Sequence, residues 1–481
     1  MTTSDELVRL TACGAVDLLR QGEVSPLDLV EASLARIEQV NPKINAIVTL
    51  CAERARNQAR RLMATKPKAA DERRWLAGLP FAVKDLNDVA GVRTTYGSPI
   101  FADNVPERSD IMVERLEANG GIPIGMSNTP EFGAGANTFN EVFGETLNPW
   151  NTSLNAGGSS GGSAAALATG EVWLATGSDL GGSLRTPASF CSVVGLRPSP
   201  GRVAAGPAEI KFDTLSVNGP MARNVEDVAL MLDAMVGWHV EDPLSLEAPL
   251  ASFREAAAAR IAPRRVAFSP DLGVTPVAPE TRAICKAAAE RFAELGAIVD
   301  EACPDFSGVP QAFQTLRAVD YVAAMRPLYE RQREKLKPDV IWNVERGLKL
   351  TTEEIGRALI RRGRLYAQMV EFFSTYDLLL APAACTPPLD VKIRWVREVD
   401  GQRFDNYVEW LKLASVITMT SCPAVAIPAG FTKDGRPVGL QLVGRPRGEA
   451  ALLSAAAALE EVLDLARLTP IDPKTGPAFA A

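Results

Sequence analysis

Residues 155–166 read Asn-Ala-Gly-Gly-Ser-Ser-Gly-Gly-Ser-Ala-Ala-Ala, and this segment limits the architectures that the chain can adopt. Its central seven residues, 157–163, hold four glycines and three serines, a composition that gives up side-chain packing and costs backbone entropy in an ordinary core element. A flexible linker is the plain alternative, but linkers do not usually lead straight into an apolar helix such as the one beginning at 164. Glycines beside a helix start can direct N–H groups at an anion or permit unusual dihedrals. We therefore expect a functional turn here.

A second glycine-rich turn follows at residues 177–188, Gly-Ser-Asp-Leu-Gly-Gly-Ser-Leu-Arg-Thr-Pro-Ala. Two glycines directly before Ser183 let consecutive backbone N–H groups converge on one point, which is how an oxyanion hole is made from the main chain. The Ser183 hydroxyl and its own N–H can then face the same carbonyl. This turn predicts a nucleophilic serine.

Histidine, a common activating base for such a serine, is nearly absent from the sequence, so a lysine has to be considered as a candidate base. The single histidine, His239, lies just before the turn Glu-Asp-Pro at 241–243, where a loop position is expected. Residues 157–161 formally match the GxSxG nucleophile elbow, but that site needs a histidine late in the chain. Neither an SxxK nor a GxxxxGK[ST] motif occurs. Lys84 ends the apolar run 80–83, and desolvation can lower a lysine pKa far enough to give a neutral base, although an ordinary strand lysine is solvated and paired.

The rest of the chain alternates short apolar runs with patterned helices. Strands are predicted at the following ranges: 80–83, 123–125, 172–175, 265–268, 378–381, 423–428 and 438–443. Helices are predicted at 110–119, 225–236, 279–295 and 449–463. This alternation predicts an α/β fold with a central mixed, twisted sheet covered by helices on both faces.

The first 65 residues are predicted to be helical and to pack on the core. Ser25-Pro26 begins one helix, which Asn41-Pro42 ends, and a second helix is predicted from about Ile47 to Met63. Residues 66–481 would form the main unit. With no repeat or clear linker in 481 residues, we expect one large domain overall.

Composition excludes several classes of function. A net charge of −7 and a pI near 5.2 argue against nucleic acid or an anionic membrane as the main partner. The seven cysteines are scattered without a CxxC pair, so neither a zinc site nor a disulfide framework is expected. The first ten residues lack signal-peptide character, and no apolar run reaches the roughly 20 residues of a membrane span. We expect a cytoplasmic protein without metal or cofactor.

Several blocks together resemble the amidase signature family, in order as well as in spacing. These blocks are residues 78–85, 157–163, 177–187, 195–198 and 437–446. The resemblance runs through most of the chain and is densest from 78 to 199. Ala156, Met126 and Arg197 depart from common family residues, but none of them belongs to the family's catalytic triad.

The resemblance implies a hydrolase that cleaves a carboxylic amide C–N bond through a serine, a serine on a cis peptide, and a lysine. Carried over, Ser183 is the nucleophile, Ser159 the cis-peptide serine, which also faces the substrate, and Lys84 the base. Neutral Lys84 takes a proton through Ser159 while Ser183 attacks, and the reversed relay protonates the leaving amine, giving an acyl-enzyme that water clears. The remaining implied positions are the N–H groups of Leu180, Gly181, Gly182 and Ser183 in the oxyanion hole, Ser160 and Asp179 in support, and the Gly133 carbonyl facing the substrate.

The implied partner is a small-molecule amide, and a homodimer is compatible with the resemblance. The variable region at about 320–409 would supply the pocket. Its aromatic residues either indicate aryl or hydrophobic substrate groups or merely pack the core: Tyr321, Tyr329, Trp342, Trp395 and Tyr407.

Two other functions stay open. The A subunit of a glutamine-dependent tRNA amidotransferase shares these blocks and passes ammonia to a partner, but it holds glutamine with an acidic residue before a late strand, where residues 410–415 offer none. Tyr407 and Trp410 indicate an apolar pocket instead. A catalytically inactive binding protein on the same fold is the second alternative, although all three triad residues are present. Esterase activity on small substrates is plausible beside amidase activity.

Overall fold

An eleven-stranded mixed sheet runs through the computed structural model of the protein, which describes residues 3–65 and 71–476. The strands in the described part of the chain are β1 Ile47–Leu50, β2 Pro80–Lys84, β3 Ile122–Ser127, β4 Phe139–Asn140, β5 Gly144–Glu145, β6 Leu147–Asn148, β7 Asn151–Asn155, β8 Leu174–Asp179, β9 Val194–Arg197, β10 Val217–Ala222, β11 Arg265–Phe268, β12 Ile298–Glu301, β13 Leu378–Pro382, β14 Glu398–Val399, β15 Gln402–Arg403, β16 Ala424–Phe431 and β17 Pro437–Val443.

The helices are α1 Ser4–Arg9, α2 Ala12–Gln21, α3 Pro26–Val40, α4 Ala52–Thr65, α5 Ile111–Ala118, α6 Gly161–Thr169, α7 Arg185–Cys191, α8 Val225–Met235, α9 Phe253–Ala258, α10 Pro279–Glu290, α11 Val309–Gln332, α12 Pro338–Gly347, α13 Thr352–Thr375, α14 Lys412–Thr420 and α15 Glu449–Leu463. None of the helices in the described ranges is long and apolar enough to cross a membrane.

The order of strands across the sheet is β1-β3-β2-β8-β10-β9-β16-β17-β13-β11-β12. β2 pairs in parallel with both β3 and β8, and β11 pairs in parallel with β12 and β13. The other neighbours are antiparallel. Because parallel strands end at the same edge of a sheet, the carboxyl ends of β2 and β8 meet. This edge carries the site described below.

Helices cover both faces of the sheet, as the strand and helix pattern predicts. Phe81 and Ala82 are neighbours on β2 and therefore point to opposite faces. Phe81 belongs to a buried cluster that includes Leu230 of α8 and Leu453 of α15. Ala82 belongs to another cluster that includes Leu167 of α6. A central strand that is covered on both faces has a continuous run of apolar residues, and for this reason the sequence predicted a strand at 80–83.

The predicted helix from Ile47 to Met63 is wrong in its first part. Ile47–Leu50 is strand β1, which pairs antiparallel with β3, and helix α4 begins only at Ala52. Ile47, Val48 and Thr49 are β-branched, and the open edge of β3 offers them backbone partners. The amino-terminal 65 residues are therefore not purely helical, because one of their segments is part of the central sheet.

Candidate active site

Lys84 is the last residue of β2, and the register of the sheet places it beside the end of β8. Its backbone N–H donates to Thr176 Oγ1 of β8 at 2.9 Å. Its side chain is wholly buried. Nζ lies 2.7 Å from Ser159 Oγ and 2.9 Å from both Ser160 Oγ and Ser178 Oγ. The ammonium group thus has three hydroxyl acceptors and no carboxylate within ion-pair distance in the described part of the chain.

This environment favours the neutral amine. Burial lowers the pKa of Lys84 to about 7, an effect that the negative charge of Asp179 opposes only in part. A neutral amine has two N–H donors and one lone pair, so among three surrounding hydroxyls one must donate to it. Ser159, the closest, can pass its proton to Lys84 Nζ. The arrangement is that of a base acting through a bridging hydroxyl.

Ser159 stands immediately before helix α6, in the glycine–serine segment. The Gly158–Ser159 peptide bond is cis, as the resemblance implies. The glycines allow close packing, because a Cβ on Gly162 would collide with the backbone nitrogen of Asn128. The segment is buried throughout, which contradicts a flexible linker.

Ser183 comes to the same region from the turn after β8. The Ser160 N–H donates to the Ser183 carbonyl at 3.3 Å, which ties the two serine turns together. The Ser183 side chain is only partly buried, and its hydroxyl makes no hydrogen bond to the side chains that the structure describes. It is therefore free to meet a ligand.

The expected oxyanion donors are not equivalent. The Gly182 N–H donates to Asp179 Oδ1 at 2.9 Å, so it is already engaged. The N–H groups of Leu180, Gly181 and Ser183 have no acceptor in the parts of the chain that are described. These three are available to a developing oxyanion, and Gly182 instead holds the shape of the turn.

Asp179 is buried and fixes the turn through a network of charges. Its carboxylate receives Arg185 Nε at 3.0 Å and Arg185 Nη2 at 2.9 Å, and the Leu184 N–H at 3.1 Å. Arg197 donates to its carbonyl. Burial opposes ionisation of Asp179, but Arg185 and Arg197 outweigh it and hold the pKa below its usual range. Asp179 is thus a permanent anion, consistent with its expected supporting position.

A cavity of about 220 Å³ opens onto Ser159, Ser178 and Ser183. Gly133 lines it, and a Cβ on Gly133 would lie 3.5 Å from Ser159 Oγ. The other lining residues come largely from three places, the turn after β8, the loop before β10 and helix α11: Leu180, Gly181, Ile210, Asp213, Ser216, Phe313, Arg317, Asp320, Tyr321, Ala324 and Met325. Leu86, Phe132, Gly135, Tyr407 and Leu411 complete the lining.

The variable region contributes only part of what was expected. Tyr321 and Tyr407 line the cavity, whereas Tyr329, Trp342 and Trp395 lie outside its lining. Trp342 packs edge-on against Tyr407 at 5.9 Å between ring centroids, so it supports a lining residue from behind. Trp410 is buried beside the same region without lining the cavity.

Sequence reasoning missed Ser178, the third hydroxyl on Lys84 Nζ, and Thr176, which receives the Lys84 N–H. Thr176 and Ser178 are two positions apart on β8, so their side chains lie on the same face of the sheet. A shared face does not separate them from ordinary strand residues, so only the pairing of β2 with β8 identifies them. His239 lies in a loop, as expected, and does not line the cavity.

Comparison with known proteins places this geometry in a family. A sequence model described as Amidase matches residues 28–453. An acylamidase of Rhodococcus erythropolis is 37% identical over 98% of this chain and 99% of its own length. The A subunit of the glutamyl-tRNA(Gln) amidotransferase of Moorella thermoacetica is 34% identical over 97% of this chain and 99% of its own.

A solved structure agrees with the sequence relatives. The crystal structure of a bacterial aryl acylamidase of the amidase signature enzymes superposes with a TM-score of 0.88 at 28% identity, covering 97% of this chain and 100% of that one. Since the family model spans most of the sequence and these relatives align over nearly their whole length, the chain belongs to the amidase signature family.

Proposed function

We propose that this protein hydrolyses the C–N bond of small carboxylic amides, with Ser183 as nucleophile, Ser159 as proton bridge and Lys84 as base. The observation that carries the proposal is the buried Lys84 Nζ at 2.7 Å from Ser159 Oγ, with no histidine in the cavity to compete for the role. The pKa of about 7 leaves a large neutral fraction of Lys84 at neutral pH.

The reaction begins with the amide carbonyl against the free N–H groups of Leu180, Gly181 and Ser183. Ser183 Oγ attacks the carbonyl carbon, its proton moves to Ser159 Oγ, and the Ser159 proton moves to Lys84 Nζ. The N–H groups stabilise the oxyanion, and removal of a single such donor typically costs about 2.7–4 kcal/mol of transition-state stabilisation. When the C–N bond breaks, the relay runs backwards and protonates the leaving nitrogen. Water then clears the acyl-enzyme by the same relay, releasing the acid.

The proposed substrates are acyl amides small enough for the cavity, including aryl amides. Support comes from the names of the relatives, an acylamidase and an aryl acylamidase, and from the rings of Phe132, Phe313 and Tyr321 in the lining. We propose the region 320–409 as a contributor to specificity, since Tyr321 and Tyr407 reach the cavity. A cytoplasmic location is also proposed, supported by seven cysteines that are all free thiols.

Covalent labelling tests the nucleophile. A fluorophosphonate should attach to Ser183 of the purified protein, and a panel of aliphatic and aryl amides should release acid and amine. Ser183→Ala should abolish both labelling and turnover, whereas Ser216→Ala, a serine of the same cavity without a proposed role, should keep labelling. Attachment that persists in Ser183→Ala would contradict the assignment, and a wild type that neither labels nor turns over would favour an inactive binding protein.

The A subunit of an amidotransferase is the second candidate function, favoured by the 34% identical relative of that name. Assays of the isolated chain distinguish the two candidate functions, because a free-standing amidase is active without any other protein. Amide turnover by the purified chain alone supports our proposal. Glutamine hydrolysis that appears only with co-purified partner subunits would support the alternative.

A further inference from the structure

The cavity that holds the proposed nucleophile is not uniformly apolar. Beside Phe132, Phe313 and Met325 it contains two carboxyl groups, Asp213 and Asp320. Asp320 belongs to helix α11, and Asp213 to the loop that precedes β10. A small apolar amide gives no reason for two acidic groups in this place.

The one guanidinium in the lining does not neutralise them. Arg317 donates to the side chains of Asn343, Tyr321 and Tyr407. It also lies over the rings of Tyr321 and Tyr407, 4.5 and 5.3 Å from their centroids. No ion pair joins Arg317 to a carboxylate in the described part of the chain. The Arg317 guanidinium therefore contacts the two tyrosines and not the two acids of the cavity.

Asp320 is the less satisfied of the two acids. Its Oδ2 is buried without a hydrogen-bond partner among the described residues. Asp213, by contrast, accepts the N–H groups of Leu215 at 2.7 Å and Ser216 at 3.3 Å. The nearby Arg362 donates to the Thr214 carbonyl and to Ser421 Oγ, not to Asp320. Asp320 is only partly buried as a residue, but a buried carboxylate oxygen without a partner is unfavourable when the group is ionised, so a cation or a hydrogen-bond donor would be stabilising beside Oδ2.

We propose that Asp320, assisted by the charge of Asp213, receives an ammonium group of the substrate, so that the preferred substrates are amides that also carry a primary amine. The inference rests on the proposed function and names its substrate class. Phe132, Phe313 and Met325 line the same cavity and offer apolar contacts to a short methylene chain that would join the ammonium group to the scissile amide. Asp320 is then a specificity-determining residue.

Titration of Asp320 supports this assignment. Burial, together with repulsion from Asp213, raises the pKa of Asp320 to about 7, against the attraction of Arg362 and Arg317. An ammonium group beside Asp320 would favour the ionised carboxylate. Preference for the cationic substrate should therefore grow as pH rises through about 7, while an alkyl ammonium with a pKa of about 10.4 stays charged.

Isosteric substrate pairs test the proposal. 5-Aminopentanamide and hexanamide differ only by an ammonium group in place of a methyl group on the acyl side. N-(5-aminopentyl)acetamide and N-hexylacetamide make the same comparison on the amine side. We expect kcat/KM to favour the cationic member of at least one pair by about tenfold or more. A preference for the neutral member of both pairs would overturn the proposal.

Asp320→Asn keeps the shape of the side chain and removes its charge. We expect it to reduce the cationic-to-neutral ratio of kcat/KM by about tenfold. Because both substrates are measured on the same variant, a general change in activity cancels from this ratio. Glu330→Gln is the matched control, because it removes an acid from the exposed part of the same helix, and the ratio should not move. An unchanged ratio in Asp320→Asn would contradict the assignment.

A measurement on the wild type alone guards against a variant that fails to fold. Pentylammonium should inhibit hexanamide hydrolysis competitively and more strongly than 1-pentanol, increasingly so from pH 6 to pH 8. Equal inhibition by the two would overturn the proposal. Failure of the proposed function looks different, since then neither labelling nor turnover of any amide would be seen.

Discussion

Lys84 stands in surroundings that most lysines avoid. It is the last residue of a central strand, its side chain is wholly buried, and among the described residues its Nζ donates to three serine hydroxyls and to no other group. A carboxylate in van der Waals contact would have kept it charged, but Asp179 is held by two arginines instead. The separation of lysine from carboxylate is what makes the amine available as a base.

The pH dependence of turnover should report this amine. The base must be neutral, and its folded-state pKa of about 7 lies below the ordinary value. We expect kcat/KM for a neutral amide to rise with pH and to reach half its plateau near pH 7. Lys84→Met should lower kcat by about 10²–10⁴-fold, the usual contribution of general acid–base catalysis. Lys392→Met, at an exposed surface position, should change neither kcat nor the pH dependence of kcat/KM. Full activity in Lys84→Met would contradict the role.

Ser178 should tune that pH profile without taking part in the proton relay. Its hydroxyl accepts from Lys84 Nζ at 2.9 Å and so stabilises the ammonium form. In Ser178→Ala one acceptor is lost, and the acid limb of kcat/KM should move to lower pH. Ser159→Ala interrupts the relay and should abolish turnover instead. An acid limb that stays in place in Ser178→Ala would show that Ser178 does not act on the lysine.

The sequence led to the proposed roles of Lys84, Ser159 and Ser183 through the resemblance of residues 78–85, 157–163 and 177–187 to the amidase signature family, since a lysine that ends an apolar strand is usually solvated. It did not reveal Thr176 and Ser178, which are ordinary strand residues until the pairing of β2 with β8 is known. The hydrogen bond from the Gly182 N–H to Asp179 could not be predicted from the sequence either, since it depends on the backbone conformation of the turn. Asp320 was missed although the neighbouring Tyr321 was named as a candidate pocket residue, because the sequence does not show that the acid reaches the same cavity.

The turn between β8 and α7 leaves several backbone N–H groups available as hydrogen-bond donors at the end of β8. Asp179 receives the N–H groups of Gly182 and Leu184, which leaves those of Leu180, Gly181 and Ser183 without protein acceptors among the described residues. Gly182 has a φ of 112°, in the region that favours glycine, and its Cβ position would lie 2.5 Å from Ala414 Cβ. Gly181 has neither constraint.

The two adjacent glycines should therefore respond differently to alanine. Gly182→Ala forces a side chain against helix α14 and into an unfavourable φ, so the free energy of unfolding should fall by about 1–3 kcal/mol. In Gly181→Ala the new methyl would meet Phe313 at 3.4 Å, which is ordinary contact, and stability should change little. Urea denaturation of both variants provides the measurement. Equal stability would show that the turn can relax around Gly182.

Strands with continuous apolar runs were predictable, and strands without them were not. β2, β11, β13 and β17 combine apolar residues with flanking turn signals, and the structure confirms them. β10 contains Asn218, Gly219 and Pro220, a composition typical of a loop. It becomes a strand because β8 and β9 supply backbone partners on both sides. Tertiary pairing of this kind overrides local propensity.

Across the fold, buried charge joins elements that are distant in sequence. Arg185 of α7 links Asp179 at the end of β8 to Gln441 of β17, whose Oε1 it reaches at 2.9 Å. The Gln441 amide in turn donates to the carbonyls of Pro382 and Leu413, both at 3.1 Å. The turn that carries the nucleophile is thus tied to the central sheet and to helix α14. Removing one partner would leave the others buried and unpaired, which is why such a network acts as a unit.

Glu171 is a buried acid whose carboxyl has no such network, and it should make the stability of the whole fold depend on pH. Both carboxyl oxygens lack partners among the described residues, while its carbonyl accepts from Ser33 of α3. Burial raises the pKa of Glu171 to about 8, against the attraction of Arg36. A raised folded-state pKa means that the unfolded chain loses its proton first, so this group's stabilising contribution, complete below about pH 4.5, declines as pH rises towards 8.

Glu171→Gln removes that dependence while keeping the shape of the side chain. We expect its free energy of unfolding to exceed that of the wild type by about 1–3 kcal/mol at pH 8 and to approach it near pH 5. Glu353→Gln, at an exposed pair with Arg357, should follow the wild type at both pH values. Urea titrations at the two pH values measure the difference. If the free energy of unfolding fell equally in the wild type and in Glu171→Gln between pH 5 and pH 8, the folded-state pKa of Glu171 would not be raised. Glu171 would then be ionised in the folded protein, with its charge balanced where the amino-terminal helices contact the core.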